Sequence, residues 1–168
     1  MHVCVDDATR LAYAEVLADE KATTAVAFLG RAVAFYTAHG ITVQRVMTDN
    51  GAAYRSTAHV LACRLLGVRH LRTRPRRPRT NGKAERFIKT MIAGWNDGAI
   101  YGSSRERTQA LDGWLWTYNH RRPHGALSHQ PPISPQRAEQ PAWVLHLGDV
   151  PRVFRPAELL TDVWASVR

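Results

Sequence analysis

One main α/β domain with a carboxyl-terminal tail is predicted by three observations. The chain of 168 residues is of single-domain length and can bury a sizeable core. Stretches of strand-like alternation and stretches of three- and four-residue apolar spacing follow one another as strand, strand, helix, strand, helix, strand and then further helices. From Gln130 onward, prolines at 131, 132, 135 and 141 indicate a linker, and the last 28 residues hold only weak periodicity. The domain is therefore assigned to residues 1–136 and the tail, of no evident role, to 137–168.

His2-Val3-Cys4-Val5-Asp6 and Leu11 to Leu17 have strand composition and are joined by the polar turn Asp7-Ala8-Thr9-Arg10, which predicts a hairpin. From Lys21 to about Ala38, Ala25, Phe28, Leu29, Ala32, Val33 and Tyr36 recur at helical steps, and Gly40 ends the helix. Ile41 to Met47 alternates as a strand that delivers Asp49 at its carboxyl end. Ser56 is a candidate cap for a helix carrying Val60, Leu61, Cys63, Leu65 and Leu66 and stopping at Gly67, with a short strand at Val68 to Leu71.

Between Arg72 and Thr80, Pro75, Pro78 and five arginines exclude a regular helix and predict a mobile basic loop. A helix beginning near Asn81 or Gly82 runs through Phe87, Ile88, Met91, Ile92 and Trp95, carries Glu85 in its first turns and closes at Gly98. Another, from about Glu106 to Tyr118, sets Leu111, Trp114, Leu115 and Tyr118 on one side. Those aromatics could stack bases, but their helical spacing favours core packing.

Lys and Arg number 23 against 14 Asp and Glu, a net charge of +9, which points to a polyanionic partner, with nucleic acid first. The charge concentrates in a loop rather than on one face of an amphipathic helix, which argues against a membrane surface. No leader pattern or span of about 20 apolar residues occurs, so the cytoplasm is expected. Cys4 and Cys63 lie in apolar contexts without CxxC spacing and read as small buried hydrophobes. His120 and His124 lack a cysteine pair, and Pro123 spoils a helical presentation, so zinc is not expected there.

Two carboxylates carry the chemistry. Asp49, in Thr48-Asp49-Asn50-Gly51, and Glu85, in Thr80-Asn81-Gly82-Lys83-Ala84-Glu85-Arg86, are separated by 35 residues, and the helix, strand and loop between them let the chain fold back on itself. Hard divalent cations prefer such oxygens and can serve phosphoryl transfer. Asp-Asn-Gly alone reads first as a turn; the second motif at this distance is what favours a site. Arg74, Arg76, Arg77, Arg79, Lys83, Arg86 and Lys89 surround Glu85 and are the candidate DNA-phosphate contacts, which position a duplex without reading its sequence. Lys89, one turn beyond Glu85, can reach a phosphate or pair with that carboxylate.

Four blocks together resemble the integrase core of bacterial insertion-sequence transposases, which is similar to retroviral integrases: Val5 to Glu15, Thr48 to Ser56, Pro78 to Phe87 and Tyr118 to Leu127. The resemblance covers residues 2 to about 136. It implies a ribonuclease H-like mixed sheet flanked by helices, a DNA transposase activity with metal-dependent strand cleavage and transfer, Mg²⁺ or Mn²⁺ as cofactor, transposon ends and target DNA as partners, and room for a homo-oligomer. In that family an Asp on the first strand, an Asp after the fourth and a Glu on a later helix bind the metal. Asp49 and Glu85 match the second and third, whereas Asp6-Asp7 matches the hairpin between the second and third strands. The first, central strand is thus expected to be missing, leaving two unpaired sheet edges, a marginally stable fold and an impaired enzyme. A non-catalytic nucleic-acid-binding remnant or regulator of an intact transposase is the alternative.

Overall fold

The computed structural model describes residues 1–73, 82–134 and 144–149. Its sheet has five strands: β1 (His2–Asp6), β2 (Ala12–Glu15), β3 (Arg45–Thr48), β4 (Arg69–Arg72) and β5 (Leu145–Asp149). Their order is β2-β1-β5-β3-β4. The hairpin pairs β1 and β2 antiparallel, with Cys4 opposite Tyr13, while β3 and β4 run parallel. The expected gap between β1 and β3 is closed by β5, antiparallel to β1 with Val3 opposite Gly148, and parallel to β3 with Met47 opposite His146. Residues 145–149, expected to belong to a tail, are the centre of the sheet, where their backbone groups and those of both neighbours pair.

Strand alternation sends side chains into two cores, one on each face. Cys4, Val46, Leu145 and Leu147 face α1 (Ala22–Ala38), α2 (Ala52–Arg55) and α3 (Thr57–Leu65), against Phe28, Leu29, Ala32 and Tyr36 of α1. Val3, Val5, Ala12 and Ala14 face α4 (Gly82–Met91) and α5 (Ser104–His120), against Phe87, Met91, Leu111, Leu115 and Tyr118. Trp114 packs against this second core and Tyr118 is buried in it, as their spacing predicted. Among the described residues no helix is long and apolar enough to cross a membrane.

Several boundaries differ from expectation for identifiable reasons. Ile41 and Val43 are buried but only Arg45–Thr48 form a strand, because the chain leaves α1 through Gly40, whose positive φ of 73° turns it before it can pair. Ser56 caps α3 as predicted, accepting from the His59 backbone N–H at 3.2 Å. Of the apolar residues read on that helix Cys63 is buried as expected, but Leu61, Leu65 and Leu66 are exposed, and the inward face is completed by His59, four residues before Cys63. Ser103 caps α5, and the helix extends to His120, into the stretch read as a turn.

Candidate metal and nucleic-acid site

Asp49 follows the last residue of β3 and is half-buried, its Oδ1 accepting from the Gly51 backbone N–H at 2.7 Å. A Cβ at Gly51 would lie 2.9 Å from the same carboxylate oxygen, so a side chain there would displace the Asp49 carboxylate. Asn50 Nδ2 donates to the Thr73 carbonyl at 3.0 Å, and the Thr73 N–H donates to the Thr48 carbonyl, so the turn is tied to the end of β4. The loop fixes the acid rather than leaving it on a free end.

Glu85 is exposed in the first turn of α4, where a negative charge complements the helix N-terminus. The helix lies on β1 and β5 through Ala84, Phe87 and Met91. Gly148 of β5 permits the approach: a Cβ at 148 would stand 3.5 Å from Ala84 Cβ and 3.3 Å from Ile88 Cδ1. Met47 stands opposite His146 and Asp49 follows two residues on, just past β3, while α4, with Glu85 in its first turn, lies over Gly148 of the same central strand. On its α4 face the described part of the central strand presents His146, engaged with Asp7, and Gly148.

The Asp6-Asp7 pair goes elsewhere. Asp6 is buried, and its Oδ2 accepts from the Thr9 N–H and hydroxyl, both at 2.7 Å, so it builds the hairpin turn. Asp7 Oδ1 takes an ion pair from Lys83 Nζ, and His146 Nε2 lies 3.1 Å from the same oxygen. Partial burial alone would raise the Asp7 carboxyl, but hydrogen bonding and charge from Lys83, with His146 and Arg10, outweigh it and hold the group below the usual carboxylate range. Burial lowers His146 despite that neighbour. Lys83, read as a phosphate contact, thus also pins the start of α4 to the end of β1.

Among the described residues Lys89 forms no ion pair with Glu85, and it stays exposed, as does Arg86. Arg74, Arg76, Arg77 and Arg79 lie outside the described residues. Sequence reasoning missed Arg10 and Arg122, which with Lys83, Arg86 and His124 line a cleft of about 530 Å³ between the hairpin turn, the start of α4 and the end of α5. The basic run Arg121-Arg122 was the available signal. Asn119, in that same block, is structural: its side chain accepts from Ala12 N–H at 2.9 Å and donates to Ala12 C=O at 2.8 Å, closing the outer edge of β2.

The integrase core domain family matches this chain twice, over residues 1–78 and 66–132. A putative transposase InsD for insertion element IS2E of Escherichia coli is 33% identical over 92 residues, 51% of this chain and 39% of that protein. The chain spans less than half the length of the first insertion-element relatives it matches. Among solved structures, a simian T-cell lymphotropic virus intasome in complex with a PP2A regulatory subunit is similar at TM-score 0.65 and 26% identity, covering 83% of this chain and 48% of that one. The catalytic core domain of BIV integrase is similar at TM-score 0.59 and 21% identity, covering 77% and 80%. The mixed sheet flanked by helices is that of the ribonuclease H-like integrase cores.

Proposed function

The chain belongs to the integrase core domain family, and we propose that it is the DNA-handling core of an insertion-element transposase, with Asp49 and Glu85 as its metal-holding carboxylates. What supports this reading is the packing of β3 and α4 on one central strand, β5, beside which the two motifs' hard oxygen donors would share an ion. Such a pair suits Mg²⁺ or Mn²⁺, which accept one or two carboxylates and take further oxygens from phosphate and water. An ion held there would supply neutralisation of charge on the reacting phosphoryl oxygens. The chain's own residues position the substrate: Arg86 and Lys89 on α4, and Arg74, Arg76, Arg77 and Arg79 ahead of it, contact the backbone phosphates. DNA, as transposon ends and target, and further copies of the chain are the partners this reading implies.

A second reading is favoured by one observation, the glycine at 148. Among the described side chains the central strand sets His146 and Gly148, and no carboxylate, toward α4; held by Asp49 and Glu85 alone, the metal would have two protein acids rather than three, and the chain would bind nucleic acid with little strand cleavage or transfer. As a remnant or regulator it would occupy ends used by an intact transposase. Nicking separates the two. Labelled transposon-end DNA is incubated with Mn²⁺ and either this chain or its Glu85→Gln variant. Cleavage by the parent chain that Glu85→Gln abolishes supports the enzyme; salt-sensitive binding of the DNA with no cleavage by either supports the binder. Cleavage undiminished by Glu85→Gln contradicts the assignment of the site.

A further inference from the structure

We propose that His59, Cys63 and His70 form a second metal site, for a borderline-soft divalent ion of the zinc class, behind the strand end that carries Asp49. Their ligand atoms all lie within 4.8 Å of one another, and the cluster is buried except for the partly exposed His70. His59 and Cys63 stand one turn apart on the inward face of α3, and Gly67, at a positive φ of 68°, turns the chain so that β4 brings His70 to the same point. The Cys63 Sγ to His59 Nδ1 distance is 3.7 Å. Tetrahedral zinc with bonds of about 2.3 Å to sulfur and about 2.0 Å to nitrogen separates such atoms by about 3.5 Å.

A purely apolar account of the cluster does not explain why a histidine sits here: His59 is fully buried, and neither ring nitrogen has a hydrogen-bond partner outside the cluster among the described residues, Nδ1 facing Cys63 Sγ and Nε2 having none. Neighbours orient both imidazoles: Thr48 Oγ1 lies 2.9 Å from His70 Nε2, and Tyr54 meets His59 edge-on at 5.2 Å. Such outer contacts orient ligating imidazoles. Two nitrogens and a thiolate choose zinc or cobalt over magnesium, so this site is chemically distinct from the carboxylate pair. Three protein ligands leave a fourth position for water. Occupied, the site would clip the edge strand β4 to α3 and stiffen Thr48, the residue before Asp49.

Cobalt reports on both geometry and sulfur. The purified chain, stripped with chelator, is titrated with Co²⁺ while visible and near-ultraviolet absorption are recorded, with circular dichroism confirming that each variant is folded. The expected result is one Co²⁺ per chain with a sulfur-to-cobalt charge-transfer band, displaced by Zn²⁺. Cys63→Ser should abolish the band and His70→Gln weaken binding by more than about tenfold, the loss that even outer-shell changes produce. Glu85→Gln should leave the band intact, which separates this site from the carboxylate one. A folded chain that shows no charge-transfer band, or a band that survives Cys63→Ser, overturns the proposal.

Discussion

At the scale of single residues, the hairpin and the end of α5 are held by side chains that bond to backbone. Asn119 satisfies both polar groups of Ala12 on an edge strand, and replacing it leaves them buried without partners. Asn119→Ala should cost about 2–3 kcal/mol, read as a lower urea midpoint at unchanged slope; a change below about 0.5 kcal/mol would show that the bonds are dispensable. Asp7 and Lys83 provide a pH test. Because the folded Asp7 carboxyl titrates below its ordinary value, the unfolded chain takes up the proton first as acid is added. The pair's contribution is complete above the ordinary carboxylate range and is lost as pH falls through the depressed folded value. Both groups are more than a third exposed, so solvent screening keeps the contribution below about 1 kcal/mol. The stability difference between parent and Lys83→Met should be constant near neutrality and vanish in acid; a difference independent of pH would assign Lys83's effect to packing.

At the scale of elements, β5 is the decisive one. Leu145 and Leu147 are fully buried and the strand pairs on both sides. Leu147→Ala should destabilise the whole fold by about 2–5 kcal/mol, and amide exchange at 145–149 should be as slow as in β1. Fast exchange there with β1 protected would mean that the strand is not part of the core. This element was the least legible in the sequence. Leu145-His146-Leu147-Gly148-Asp149 is short, lies past a proline-rich stretch and alternates weakly, so only its partners across the sheet identify it. By contrast β1, α1 and the Ser56 cap were readable because period and capping chemistry agree locally. The apolar face of α3 misled because Leu61 and Leu65 outvote His59 by hydrophobicity, while burial is set by what α1 and β4 present. Asp49 and Glu85 were found by motif and spacing; Asn119 and Arg122 were not assigned roles because those depend on a hairpin more than 100 residues away.

At the scale of the whole molecule, the sheet divides labour between its faces. Both faces are packed as core; the one under α1, α2 and α3 also holds the buried histidine–cysteine cluster, and the side of α4 and α5 carries the basic cleft and, as proposed, the metal-holding acids. With a net charge of +9, the proposed DNA binding should be salt-dependent. On a log–log plot against salt the binding constant should fall with a slope near −0.9 for each phosphate neutralised, and Arg86→Ala or Arg122→Ala should each flatten it by about one. A slope unaltered by either substitution would move the DNA off this face. The same face supplies the most direct test, since it requires Asp49 and Glu85 to share a cation. Mn²⁺ added to the ¹⁵N-labelled chain should broaden the amide signals of Asn50–Gly51 and Ala84–Arg86 together at low occupancy, and Asp49→Asn or Glu85→Gln should each abolish the broadening at both segments. Broadening confined to one segment, or persisting at one after the other acid is replaced, would contradict a shared site.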